Sequence, residues 1–120
     1  MQKERLDWHC LQHENLKDCI EECTVQQVLY LFGKKYVMPI IRLLLIYKKL
    51  RFNEILERLG GSPKTITSRL RNLEKLGLIK REVFNEIPMR VEYSLTEIGA
   101  PLEDIFERFA TWALNFKENK

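Results

Sequence analysis

Between Ser62 and Leu95 the hydrophobic period of the chain changes once, at Gly77, and that change limits the architectures open to it. Before Gly77, Leu70 and Leu73 fall within about 40° of Ile66 at 100° per residue, so the three make a narrow stripe along one side of a helix. After it, Leu78 to Phe84 and Met89 to Leu95 read as strands. In the second strand Met89, Val91, Tyr93 and Leu95 alternate with Arg90, Glu92 and Ser94, and Asn85 to Pro88 forms the tip of a hairpin. The helix has a strong start signal. The Ser62 hydroxyl can accept a free amide of the first turn, and Pro63 at the first helical position gives up only an amide that would be orphaned anyway. Gly60 and Gly61 supply the preceding turn, and Gly77 closes the helix.

The face opposite the apolar stripe is polar and cationic, with Lys64, Thr65, Thr67, Ser68, Arg71, Asn72 and Lys75. A polar helix face is ordinarily a solvated one. Here the charge distribution argues for more. Ser62 to Arg81 holds six Lys or Arg against one acid, and Lys34 to Arg58 holds seven against two. The first 23 residues carry three bases and six acids, and the last 25 carry three and five, so an overall +3 conceals a strongly basic middle between acidic ends. Such a middle is expected to meet a polyanion.

The rest of the chain reads mostly as helix. Residues 1–22 are expected to form an acidic segment, either one or two short helices or a partly ordered arm, ahead of a domain spanning 23–120. Thr24 to Gln27 has capping-box spacing, and Val25, Val28, Leu29 and Phe32 form an apolar face on a first helix that reaches about Gly33. Lys35 to Lys48 is a second helix, apolar nearly all round and so expected to be covered on most sides, with Pro39 within or near its first turn. Leu50-Arg51-Phe52 is extended. Asn53 then caps a short helix with Ile55, Leu56 and Leu59 inward, which with the Ser62 helix makes a helix-turn-helix. Thr96 caps a last helix whose Leu102, Ile105, Phe106, Phe109, Trp112, Ala113 and Phe116 recur at spacings of three and four. That stripe is too large for a hairpin to cover, and a second copy of the chain is its expected partner.

Several function classes are excluded on this reading. At 120 residues the chain has room for one core and little else. Its most apolar run, Tyr36 to Tyr47, is interrupted by Pro39 and Arg42 and falls short of the roughly 20 residues that span a bilayer. The opening residues are charged and polar, so no export signal and no membrane partner are expected, and the protein is placed in the cytoplasm. Three cysteines do not suggest a disulfide framework. His9, Cys10, His13, Cys19 and Cys23 match no trusted zinc spacing, so no metal site is expected. No phosphate-cradling glycine loop and no nucleophile beside a base appear, so neither an enzyme nor a cofactor is expected.

Helix, helix, short strand, helix-turn-helix, hairpin and long helix together make a winged helix, an α+β fold that is mostly α, with a two-stranded wing and terminal dimerisation helices. Within it, Arg51-Phe52-Asn53-Glu54-Ile55, Ser62-Pro63-Lys64, Arg69-Leu70-Arg71 and Val91-Glu92-Tyr93-Ser94-Leu95-Thr96 stand in an order and spacing that resembles the HxlR-type transcriptional regulators, relatives of the MarR group. The resemblance runs from about Cys23 to Trp112. It implies a homodimer that binds double-stranded DNA and dimerises through its terminal helices. Two departures stand out. Gly33-Lys34-Lys35-Tyr36 replaces the family's usual Gly-Gly-Lys-Trp, which keeps an aromatic, and Cys23-Thr24 replaces its usual Cys-Pro. In some relatives that cysteine senses electrophiles or oxidants, and the resemblance makes Cys23 a candidate redox sensor, with a small, semi-buried packing residue as the alternative reading. A helix N-terminus beside it would favour thiolate, whereas Glu21 and Glu22 would oppose it.

The expected roles follow from side-chain chemistry. The Ser62 helix enters a major groove with Lys64, Thr65, Thr67, Ser68, Arg71 and Asn72 nearest the duplex. Arg71 is suited to guanine and Asn72 to adenine. Lys75, Lys80, Arg81 and Arg90, together with Lys64, suit phosphates, and the hairpin tip can reach an adjacent minor groove. Arg69, about 60° off the buried stripe, suits an internal ion pair equally well. Two-fold symmetry predicts an inverted-repeat site. The rival reading keeps the fold but uses it as a protein-interaction module, which a salt series on duplex binding would separate.

Overall fold

A computed structural model describes residues 24–118, which fall into two units, one ending at Met38 and one beginning at Pro39. The expected arm of residues 1–22, together with Cys23 and the other cysteines and both histidines, lies outside the described residues.

In the first unit, α1 spans Thr24–Phe32. Its buried residue is Leu31, while Val25, Leu29 and Tyr30 are exposed. The covered side is therefore centred on Leu31 with half-buried Val28 and Phe32 beside it, which corrects the expected face of Val25, Val28, Leu29 and Phe32. The helix is apolar on more than one flank, and periodicity alone does not say which flank one chain covers. Gly33 N–H donates to Leu29 O at 3.1 Å and Lys34 N–H to Leu31 O at 3.0 Å, closing the helix. Tyr36 has φ 76°, a value no right-handed helix accepts, so α2 begins at Val37 and not at Lys35.

Helix α2, Val37–Tyr47, runs across the boundary of the two units, and Pro39 sits in its first turn as expected. Ile40, Ile41 and Leu44 are fully buried, but Ile46 and Tyr47 are about half exposed, so the expected cover on most sides is incomplete. Tyr47 instead lies beneath Arg58, whose guanidinium carbon stands 4.5 Å from the ring centroid. Lys48, at φ 70°, turns the chain into β1, Lys49–Arg51.

Phe52 is already helical, so α3 spans Phe52–Leu59 and Asn53 lies inside it, not at its cap. The strand has to end at Arg51, which pairs with Glu92, and the cap falls on Arg51, two residues earlier than the side-chain chemistry suggests. Arg51 N–H donates to Glu54 Oε1 at 2.8 Å, which satisfies an amide at the helix start. Gly60 closes α3 at φ 69°, where a side chain would be strained. Helix α4, Pro63–Lys75, buries Ile66, Leu70 and Leu73, and Gly77 leaves it at φ 86°. It packs on β2, while α3 packs on β1 and β3.

Strands β2, Ile79–Phe84, and β3, Arg90–Leu95, pair antiparallel from Ile79 with Leu95 to Phe84 with Arg90. Strand β1 joins the other edge of β3, giving a sheet of order β1-β3-β2, so the expected two-stranded wing is the long side of a three-stranded sheet. In the central strand both Tyr93 and Ser94 are buried, and the expected clean alternation stops there. Thr96 does not cap the last helix directly. Its amide donates to Leu78 O at 3.0 Å and its hydroxyl to Gly77 O at 2.6 Å, tying the end of β3 to the exit of α4. A turn through Gly99 follows, and α5 spans Leu102–Glu118. No helix among the described residues is long and apolar enough to cross a membrane.

Candidate nucleic-acid interface

The start of α4 is organised by its cap. Ser62 Oγ accepts from the Thr65 amide at 3.2 Å and donates to Thr65 Oγ1 at 3.0 Å, so the Thr65 hydroxyl is engaged within the first turn. No acidic residue stands in that turn. The positive end of the helix dipole is left uncompensated beside exposed Lys64, an arrangement that favours a phosphate oxygen.

Along the outer face of α4 an open hollow of about 540 Å³ is lined by Phe52, Pro63, Lys64, Thr67, Ser68, Arg71 and Asn72. Lys64, Thr67, Ser68, Arg71 and Asn72 thus share one concave surface. Lys64, Ser68 and Arg71 are exposed, Thr67 and Asn72 half-buried. Asn72 Oδ1 is buried and has no hydrogen-bond donor among the described residues. Phe52 is the lining residue that sequence reading passes over: read as extended chain, it opens α3 and supplies an apolar edge to the hollow. The Arg-Phe-Asn-Glu-Ile run marks the position but says nothing of where the ring goes.

Lys75 stands exposed at the far end of α4, and Lys80 and Arg81 are exposed on β2. Lys80 Nζ lies 3.9 Å from Glu82 Oε1 across an exposed strand face, a pair worth little in water. Arg90 differs from the others. Its Nη1 meets Glu86 Oε2 at 3.2 Å, its Nε meets Glu92 Oε2 at 3.3 Å, and its guanidinium carbon sits 4.1 Å from the centroid of the Phe84 ring. Sequence places it among the phosphate contacts; the structure commits its guanidinium to the hairpin itself.

The apolar stripe of α5 divides into two flanks. Leu102 is buried within its own chain, and Phe106 and Ala113 are half-buried. Ile105, Phe109, Trp112 and Phe116 are each more than half exposed, with the Trp112 ring centroid 5.9 Å from that of Phe109 and 5.7 Å from that of Phe116. Leu102 is therefore withdrawn from the expected interchain surface.

A helix-turn-helix whose second helix presents a cationic hollow, followed by a hairpin wing, defines the class of winged-helix DNA-binding proteins. The model of the HxlR-like helix-turn-helix family matches residues 31–120, and the chain belongs to that family. An uncharacterized HTH-type transcriptional regulator of Halalkalibacterium halodurans is 36% identical over 101 residues, 83% of this chain and 89% of that one. YdeP of Bacillus subtilis, also an uncharacterized HTH-type transcriptional regulator, is 37% identical over 102 residues, 84% of this chain and 79% of its own. Among solved structures, the reduced form of the transcriptional regulator YodB from B. subtilis matches with a TM-score of 0.72 at 34% identity, covering 82% of this chain and 97% of that one. YodB structures in diamide-treated and quinone-bound form match at 34% and 32% identity, with TM-scores of 0.66 and 0.68, covering 78% and 76% of this chain and 94% of each of theirs. The chain is a DNA-binding transcriptional regulator of this family.

Proposed function

We propose that two copies of the chain, joined through the exposed flank of α5, bind an inverted-repeat operator with each α4 in a major groove, half-sites lying about one helical turn, roughly 34 Å, apart. Arg71 and Asn72 read base edges, Lys64, Thr67 and Ser68 contact the rim of the groove, and Lys75, Lys80 and Arg81 hold phosphates. Thr65 acts through the cap. The observation that carries this reading is the shared hollow on α4, which joins the cationic and hydrogen-bonding side chains on one surface beside an acid-free helix start. The regulator works in the cytoplasm, where its operator is, and performs no catalysis.

A duplex-binding series across salt concentration tests it. Log affinity is expected to fall linearly with log salt, by about 0.9 per phosphate neutralised. Arg71→Ala is expected to cost about 1–3 kcal/mol and relax preference at one base pair, whereas Lys75→Ala weakens all duplexes alike and lowers the slope by about 1. Failure to bind any duplex at low salt removes the proposal.

A second reading makes the regulator thiol-responsive through Cys23. The forms in which YodB has been solved favour it, since diamide oxidises thiols and quinones add to them. The family match begins at Leu31, after Cys23, and so does not bear on this residue. Quinone or peroxide treatment is expected to change duplex affinity in the native chain and to have no effect in Cys23→Ser. Unchanged affinity in the native chain rejects the reading.

A further inference from the structure

The hairpin tip carries a feature that phosphate contact does not use. Loop tips favour Gly, Asn, Asp and other polar residues, yet this one presents Ile87-Pro88-Met89, with Ile87 103% and Met89 65% exposed. Single exposed apolar side chains are ordinary, but three in a row at the end of a protruding hairpin are not.

The charges of the hairpin point the same way. It carries Lys80, Arg81 and Arg90 against Glu82, Glu86 and Glu92, so its net charge is zero. Arg90 is claimed by Glu86 and Glu92 and stacked on Phe84, at the Phe84–Arg90 pair that closes the hairpin. Glu86 lies within the loop, and its backbone N–H donates to Phe84 O at 2.9 Å. A wing tip built to grip phosphates would present the arginine nearest to it. This one leaves Arg81 exposed on the strand and uses Arg90 to hold an apolar tip in a set shape.

The tip is also well placed. Strand β2 starts four residues after the end of α4, and the bonds from Thr96 to Gly77 and Leu78 fix that junction. At about 3.3 Å per residue, the tip stands roughly 25 Å from the junction, within reach of the groove flanking the one α4 enters. The minor groove, about 6 Å wide, is too narrow for a hairpin and wide enough for its side chains. Ile, Met and Pro are the kinds of side chain that wedge between base steps there and kink the duplex.

We propose that Ile87, Pro88 and Met89 form an apolar wedge that enters the minor groove beside each half-site and bends the duplex, with Arg90 as the positioning residue that holds the wedge. The proposal rests on the DNA-binding reading above and adds a mode of contact to it. A second protein chain is the weaker occupant, because a protrusion of three residues falls far short of the roughly 800 Å² per partner of a stable interface.

The test begins with a duplex selected from a random pool by the native protein and labelled at its two ends for energy transfer. Native protein is expected to draw the ends together. The double variant Ile87→Ser/Met89→Ser is expected to leave the ends at their free distance and to bind about tenfold more weakly, with an unchanged slope of log affinity against log salt. Arg90→Ala is expected to reproduce part of the lost bend, again with no change of slope. A loss of about 0.9 in slope for Arg90→Ala would instead make it a phosphate contact and overturn its assigned role. Native bend and affinity in the double variant would overturn the wedge, as would a change in that variant's sedimentation without a change in bend. Selection of no duplex at all would remove the operator-binding reading itself, a result distinct from either. Ile87 and Met89 are exposed, so the double variant is expected to melt with the native protein.

Discussion

Replacing Gly99 by alanine is expected to lower the melting temperature by about 8 °C, measured at one fixed protomer concentration. Gly99 is buried, and a Cβ added to it would stand 2.5 Å from the carbonyl oxygen of Leu78 and 3.0 Å from Leu95 Cδ2. The Leu95 side chain can turn away. The Leu78 carbonyl cannot, because it accepts from the Thr96 amide at 3.0 Å and the Thr96 hydroxyl at 3.2 Å, while the Leu78 amide is itself bonded to Leu73 O at 3.0 Å. Relieving the clash means opening the knot that joins α4, β3 and the turn into α5. Overpacking costs about 1–3 kcal/mol, and a Cβ 2.5 Å from a fixed backbone oxygen puts this case at about 3 kcal/mol; the reduced freedom of the unfolded chain returns only about 0.4–1 kcal/mol, so destabilisation by about 2 kcal/mol remains. Gly33→Ala is the control. There, among the described residues, a Cβ meets only Leu29 O and Tyr30 O at 3.6 Å, and the same entropy gain is expected to stabilise slightly. Equal melting temperatures for the two variants would mean that the Leu78 carbonyl yields.

The contrast between these two glycines shows what kind of information the sequence carries. Nothing in the residues around Gly99 marks it as the tight one, because the atom it approaches lies across the fold. Features that depend on a few neighbouring residues are legible: the Ser62 cap, Pro63 at the first helical position, the stripe of Ile66, Leu70 and Leu73, and both long strands within one residue. Features decided by distant pairing are not. That β1 would sit beside β3, burying Leu50 next to Tyr93, cannot be read from a three-residue strand. Left-handed Tyr36 and Lys48 carry no glycine signal, so the limits of α2 come out wrong by one or two residues. The same division runs through the interface. Lys64, Thr67, Ser68, Arg71 and Asn72 share a surface because helical geometry makes them share it. The engagement of Arg90 depends on which of Glu86, Glu92 and a phosphate comes nearest, and only the folded hairpin decides that.

For the dimer proposed above, Trp112→Asp is expected to leave only monomer in the low micromolar range, with each protomer folded. Trp112 is 61% exposed, and its neighbours along the helix at spacings of three and four, Phe109 and Phe116, are 58% and 54% exposed with their rings against it. Large aromatic side chains bury about 150–250 Å² each when covered, and a contiguous row of them facing water is the kind of apolar patch that marks an interaction site. At a two-fold interface the same residue enters from both sides, so each substitution counts twice. An aromatic anchor of this kind is worth about 2–4 kcal/mol, and the aspartate adds an unpaired charge facing its symmetry mate, which together predicts a loss of at least about 1,000-fold in dimer affinity. Sedimentation reads the dimer, and a thermal melt reads the fold. Operator binding has to follow, because a monomer occupies one half-site and forgoes the effective concentration that a joined pair supplies to the second. Leu102→Asp provides the opposite signature. That side chain is buried within its own protomer, so its replacement is expected to unfold the chain before it separates two copies. A Trp112→Asp protein that sediments as a dimer would move the interface off α5, to a surface such as exposed Val25, Leu29 and Tyr30 of α1.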